Sequence, residues 1–96
     1  MKNAANLLRH WSHPVWIAIG YGFKERITGP EEALDCLEHR WPNNEGKHFA
    51  MAFRCCTAAT TRAVSIEEAR EKFVSAAIEA YVLHEVRFKD QRPEET

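Results

Sequence analysis

No stretch of this chain approaches the ~20 consecutive apolar residues that a membrane-spanning helix needs. The opening Met1-Lys2-Asn3-Ala4-Ala5-Asn6-Leu7-Leu8 lacks the apolar centre of a signal peptide. Basic residues never cluster beyond pairs such as Lys24 with Arg26 and Arg70 with Lys72, and the net charge is −1. Nucleic-acid binders neutralise several phosphates with a basic patch or stripe, so this pattern argues against such a partner. Cysteine is sparse and odd in number, at three, with no secretion signal. That predicts free thiols in a reducing compartment, the cytoplasm by default. Internal repeats and low-complexity segments are absent as well.

What is present is ordinary globular composition, 45% apolar and 28% charged, over 96 residues. That length makes one domain, and a chain so short buries only about 60% of its unfolded surface. A thin core predicts marginal stability unless the chain associates with itself or a partner.

Residues 1–12 read as a loosely held lead-in, 13–88 as the domain and 89–96 as a disordered tail. Pro14 opens a strand, Val15 to Ile19, as proline can where no ladder hydrogen bond is needed. Gly20-Tyr21-Gly22 turns it back into an antiparallel return from Phe23 to Thr28. A first helix follows Thr28-Gly29-Pro30-Glu31, with Thr28 and Glu31 as a capping box, and Pro42 closes it. Its apolar stripe is Ala33, Leu34, Leu37 and Trp41. A second helix runs from about Lys47 to Thr60 on Phe49, Phe53, Cys56 and Ala59. A third starts at Ser65, capped with Glu68, and carries the stripe Ile66, Ala69, Phe73, Ala76, Ala77 and Ala80. Val74, Ile78 and Tyr81 form a second stripe about 100° away, which predicts burial on two sides. Residues 82–88 alternate with a period of two and suit a third strand better than a longer helix. The fold class expected is α+β: an antiparallel hairpin, with a candidate third strand at the C-terminal end, packed against three helices.

These residues also carry a resemblance. Pro14-Val15, Gly20-x-Gly22, Gly29-Pro30-x-Glu32-Ala33-Leu34, Trp41-Pro42 and Ala69-Arg70-x-x-Phe73-x-x-Ala76-Ala77-x-Glu79-Ala80 resemble domain-of-unknown-function family 982. Those are short proteins of rhizobia and their relatives, and the similarity spans roughly residues 11 to 82. It implies a bacterial cytoplasmic protein with no assigned activity and no functional residues to carry over. One departure stands out: Tyr81 occupies the place of a helix-ending glycine.

Candidate chemistry is thin. Cys36-x-x-His39 puts two ligand types one helical turn apart, with His48, Cys55, His10 and His13 as further candidates. No second close pair has zinc-site spacing, so packing is the preferred account and no metal or cofactor is expected. Cys55-Cys56 is a vicinal pair in mid-helix, away from the helix N-terminus that would activate a thiol. Gly20-Tyr21-Gly22 has no following helix N-terminus and no Gly-Lys-Ser/Thr signature, so it is a turn and not a phosphate cradle. Arg70 projects between the two stripes of the third helix, either paired with an acid such as Asp35 or Glu67 or clamping an anion. Trp16 shares its strand face with Ala18 opposite Lys24 and Arg26, a natural partner anchor if exposed.

The function expected is a small non-enzymatic interaction or regulatory module that self-associates. Trp16, Val74, Ile78 and Tyr81 are the candidate interface, and the apolar strand at 15–19 is an open edge. The competing expectation is a small-ligand binder or minor enzyme using Cys55, a histidine and Arg70. A helix-turn-helix reader is disfavoured, because Thr61-Arg62-Ala63-Val64 lacks glycine and Ile66-Glu67-Glu68 opens the next helix with the wrong charge for phosphate.

Overall fold

In a computed structural model describing residues 10–20 and 23–84, a two-stranded antiparallel hairpin precedes three helices. Strands β1 (Val15–Ala18) and β2 (Lys24–Ile27) pair with Val15 opposite Ile27 and Ile17 opposite Glu25. Helices α1 (Pro30–His39), α2 (Lys47–Thr60) and α3 (Ile66–Glu79) follow. Alternation puts Val15 and Ile17 in the core, while Trp16 and Ala18 lie half-buried on the other face. Gly20, with φ 77, takes the left-handed conformation at the start of the turn.

Residues 82–84 supply a short third line beside β1. Ile17 bridges Leu83, the Ala18 N–H donates to the Val82 carbonyl, and the His84 N–H donates to the Trp16 carbonyl, both at 2.8 Å. The strand expected over 82–88 is thus present as a single bridge, and residues 85–88 lie outside the described residues. β1 is therefore central, flanked by β2 and by residues 82–84. The open edge expected for β1 does not exist at Trp16 and Ala18.

Each helix start is capped differently. Ser65 caps α3 as its sequence predicts, its Oγ accepting from the Glu68 N–H at 3.0 Å. At α1 the cap position is Gly29, with Pro30 in the first turn. The carboxylate that reaches back is Glu32, not Glu31: its Oε1 accepts from both the Thr28 N–H and hydroxyl. Glu32 is third in the helix, the position from which a side chain can return to the residues before it. α1 ends at His39, and Trp41 leaves the helix. α2 starts at Gly46, which has no side chain to cap with. Glu79, from the last turn of α3, accepts from the His48 and Phe49 N–H groups at 3.0 and 3.1 Å. A carboxylate from a neighbouring helix does what a local serine or aspartate would otherwise do.

The core centres on Phe73 of α3, fully buried between two indoles. The Trp11 ring lies 6.0 Å away and the Trp41 ring 5.4 Å away, both tilted. Buried alanines at 52, 59, 69, 76 and 77 bring α2 and α3 close together. Of the expected lead-in, residues 1–9 lie outside the described residues, and Trp11 near its end is held in place. It is buried, its Nε1 donates to the Ile66 carbonyl at 2.7 Å, and its N–H donates to the Thr28 carbonyl at 2.7 Å.

Candidate functional site

The C-terminal end of α3 carries the most unusual geometry. The Val82 N–H donates to the Ala77 carbonyl at 2.9 Å and the Tyr81 N–H to the Ile78 carbonyl at 3.1 Å. This is a Schellman ending, whose pivot must adopt a left-handed conformation. Glycine does this without penalty; here the pivot is Tyr81, with φ 60. Its side chain is 95% exposed, and Ile78, one turn back, is 57% exposed. Val74 belongs to the same stripe but is half-buried and packs on the core. Trp16, half-buried, projects from the face of the sheet that turns away from the core, so it does not extend this patch. The four residues singled out in the sequence therefore divide into an exposed pair, a packed neighbour and a separate aromatic.

Among the described residues Arg70 has no carboxylate within salt-bridge distance. Its Nε donates to the His13 carbonyl at 2.7 Å and its Nη2 to the Pro14 carbonyl at 3.3 Å. It fastens the start of β1 to α3, because those carbonyls lie just before the ladder begins. Of the two acids expected as partners, Asp35 instead lies 3.1 Å from His39 Nδ1.

None of the three thiols is activated. Burial pushes Cys36 up to about 11 and Cys56 up to about 12. Partial burial also raises Cys55, with Glu68 adding to the rise and Lys72 opposing it. All three are free thiols. Cys36 points inward while His39 is exposed, so the expected ligand pair diverges. Among the described residues, no three His, Cys, Asp or Glu side chains converge as a metal site would require. The charges felt by Cys55 are those of Glu68 and Lys72, whereas Arg70 is held on the His13 and Pro14 carbonyls.

Two further surface features escaped the sequence. Arg40, at the end of α1, holds Glu25 of β2 in a bidentate pair at 2.6 and 2.8 Å. The guanidinium holds the Glu25 carboxyl below its usual range. An open depression of about 450 Å³ is lined by His10, Trp11, Pro14, Arg26, Thr28 and Glu32. Neither was signalled by local spacing, since both join residues from separate elements.

This arrangement of hairpin and helices matches known proteins. The family described as "Protein of unknown function (DUF982)" matches residues 13–84, most of the chain. The chain belongs to the DUF982 family. A solved relative of this DUF982 chain is the Agrobacterium tumefaciens protein Atu1219, determined by NMR. It is 32% identical, with a TM-score of 0.70, and the match covers 88% of this chain and 84% of that one. No curated protein matches this DUF982 sequence. Several residues that carry the family resemblance act as braces here: Gly29 and Glu32 at the start of α1, Arg70 on β1, Phe73 in the core and Glu79 on α2. Among the described residues, no helix is long and apolar enough to cross a membrane.

Proposed function

We propose that this DUF982 chain is a bacterial, cytoplasmic protein-interaction module that self-associates as a homodimer through the C-terminal end of α3. The observation that carries the proposal is Tyr81. A bulky residue in a left-handed turn costs roughly 1–2 kcal/mol relative to glycine, yet this one spends its side chain on solvent beside exposed Ile78. Backbone strain collects at functional positions, and tyrosine is enriched among the residues that anchor protein interfaces. Three free thiols support a reducing compartment.

Sedimentation equilibrium from low to high micromolar concentration tests this directly. A concentration-dependent dimer is expected for the natural chain and a monomer for Ile78→Asp. A natural chain that stays monomeric throughout would remove the proposal. The alternative built on Cys55, a histidine and Arg70 gains no support, because the Arg70 Nε and Nη2 already donate to backbone carbonyls.

A further inference from the structure

The hydrogen bonds of β1 fix which backbone groups of β2 are free. Trp16 and Ala18 direct their main-chain groups to residues 82–84, so Val15 and Ile17 direct theirs to β2, opposite Ile27 and Glu25. The N–H and C=O groups of Lys24 and Arg26 therefore point away from β1. The same alternation explains why the Thr28 carbonyl, two residues on, accepts from the Trp11 N–H. Beyond that bond the outer edge of β2 has no backbone partner among the described residues. Among the described residues, the unpaired edge of the hairpin is thus the charged return strand, not the apolar one.

Lys24 and Arg26 project from the same face, about 6.8 Å apart at two residues of strand rise. Both are exposed, and neither has a carboxylate within salt-bridge distance among the described residues. Glu25, between them, turns to the opposite face and is already committed to Arg40. The outer face of this edge therefore presents two cations at strand spacing.

We infer that the β2 edge docks an extended acidic segment of another protein by antiparallel strand addition. A segment with the pattern acid-x-acid sets its two carboxylates opposite Arg26 and Lys24 while its backbone forms up to four hydrogen bonds with their main-chain groups. Continuing one residue sets an apolar side chain opposite Phe23, which is 85% exposed. At the other end the edge meets the depression lined by Arg26, Trp11 and Thr28, which leaves room for the segment to leave the sheet. A second copy of this chain is the wrong occupant. Symmetric pairing over this edge sets Lys24 against Arg26 twice and Glu25 against Glu25; slipping by two residues sets Lys24 against Lys24 or Arg26 against Arg26. Like charges directly opposite one another oppose pairing. This surface is distinct from Ile78 and Tyr81, so it stands whether or not the chain dimerises.

The test uses three blocked peptides with the full-length chain: Thr-Glu-Thr-Glu-Val-Thr, its counterpart with lysine for glutamate, and the glutamate peptide N-methylated at both glutamate nitrogens. Amide NMR titration is expected to show saturable shifts over Lys24–Thr28 with the glutamate peptide. Binding should weaken by about tenfold or more on N-methylation, since the two ladder bonds those nitrogens donate are lost and the methyl groups crowd the edge, and comparably with the lysine peptide. The double variant Lys24→Glu/Arg26→Glu, checked for an unchanged melting temperature, should reverse the preference between the two charged peptides. Should it fail to fold, Arg26→Gln, which removes one cation, should narrow that preference. Shifts that map elsewhere, an N-methylated peptide that binds equally well, or a preference untouched by the charge changes would each overturn the proposal. Tighter binding of a single-stranded oligonucleotide to the same residues would overturn it too.

Discussion

Replacing Gly46 with alanine should destabilise this protein for a reason that has nothing to do with backbone freedom. Gly46 has φ −75 and ψ 150, a conformation that alanine adopts readily. In such a setting glycine to alanine ordinarily stabilises by roughly 0.4–1 kcal/mol, through the unfolded chain. Here a Cβ would overlap the Glu79 carboxylate. That carboxylate ends a flexible side chain and can retreat, but only by releasing the His48 and Phe49 N–H groups. Loss of a helix cap costs about 1 kcal/mol and up to about 2; hydrogen bonds to a charged acceptor lie at the upper end. Glu79→Ala should therefore cost about 2 kcal/mol. Gly46→Ala should cost about 1.5 kcal/mol, the lost cap less the alanine gain. Added to Glu79→Ala, the Gly46 change should flip sign and stabilise by about 0.5 kcal/mol, because nothing remains to displace. For a domain this size 1 kcal/mol moves the melting temperature by about 4–8 °C, so far-ultraviolet circular dichroism resolves all four corners of the cycle. If Gly46→Ala stabilises the natural chain as much as it stabilises Glu79→Ala, the cross-helix cap is not holding α2.

Tyr81→Gly and Arg62→Gly should each raise stability by about 0.5–1 kcal/mol, since Arg62, φ 68, is the left-handed pivot of the same helix ending on α2; the figure is the left-handed penalty less glycine's larger unfolded entropy, read by urea unfolding at a dilution where dimers are absent. Trp11→Phe should cost about 1 kcal/mol for its indole bond to the Ile66 carbonyl, which keeps its own helical donor, plus the lost ring packing on Phe73, whereas Trp41→Phe should cost less in parallel thermal melts, because the Trp41 indole N–H is buried without an acceptor among the described residues. Thiol titration of the native chain at pH 7–8 should be slow and led by half-buried Cys55, with Cys36 and Cys56 reacting only on unfolding. The two buried thiols, ordinarily near 9 and held at about 11 and 12, favour the folded state fully below pH 9 and lose that contribution as pH climbs toward those values. A fall in stability from pH 8 to 11 that is clearly smaller in Cys36→Ala/Cys56→Ala, which retains only the less buried Cys55, than in the natural chain is the expected pattern.

Much of the fold was legible because its signals are local. The bounds of α2, the Ser65 cap and the stripe from Ala69 to Ala77 follow from spacing alone. What escaped is everything decided between elements. Glu79 reads as one more acid on the polar face of a helix, and nothing in its neighbourhood announces that Gly46 lies against it. Arg70 was singled out by its position between two stripes, but its partners are carbonyls, which look identical at every residue of a sequence. Trp11 lies before the first strand in a stretch with no periodicity, so its place against Phe73 had no local signature. Glu32 displaced Glu31 in the first cap because the frame of the helix is set by Gly29, and a one-residue shift changes which acid faces back.

The choice of free edge follows from the turn at Tyr81. Val82 and Leu83 both donate to the Ala77 carbonyl, at 2.9 and 3.3 Å, and Val82 then accepts from Ala18. The left-handed residue thus converts the last turn of α3 directly into the line that covers β1, with no loop between them. Had the helix run on through Tyr81, Val82 and Leu83 could not have reached Ala18 and Ile17, and the apolar strand would have been the exposed one. An unpaired apolar edge pairs with almost any strand, whereas an edge bearing Lys24 and Arg26 admits only a segment of opposite charge. Strain at a single exposed tyrosine therefore accompanies a sheet whose remaining edge is selective. Replacing Tyr81 by glycine should leave that edge intact while removing the displayed ring, so peptide docking at β2 should survive a substitution that abolishes self-association.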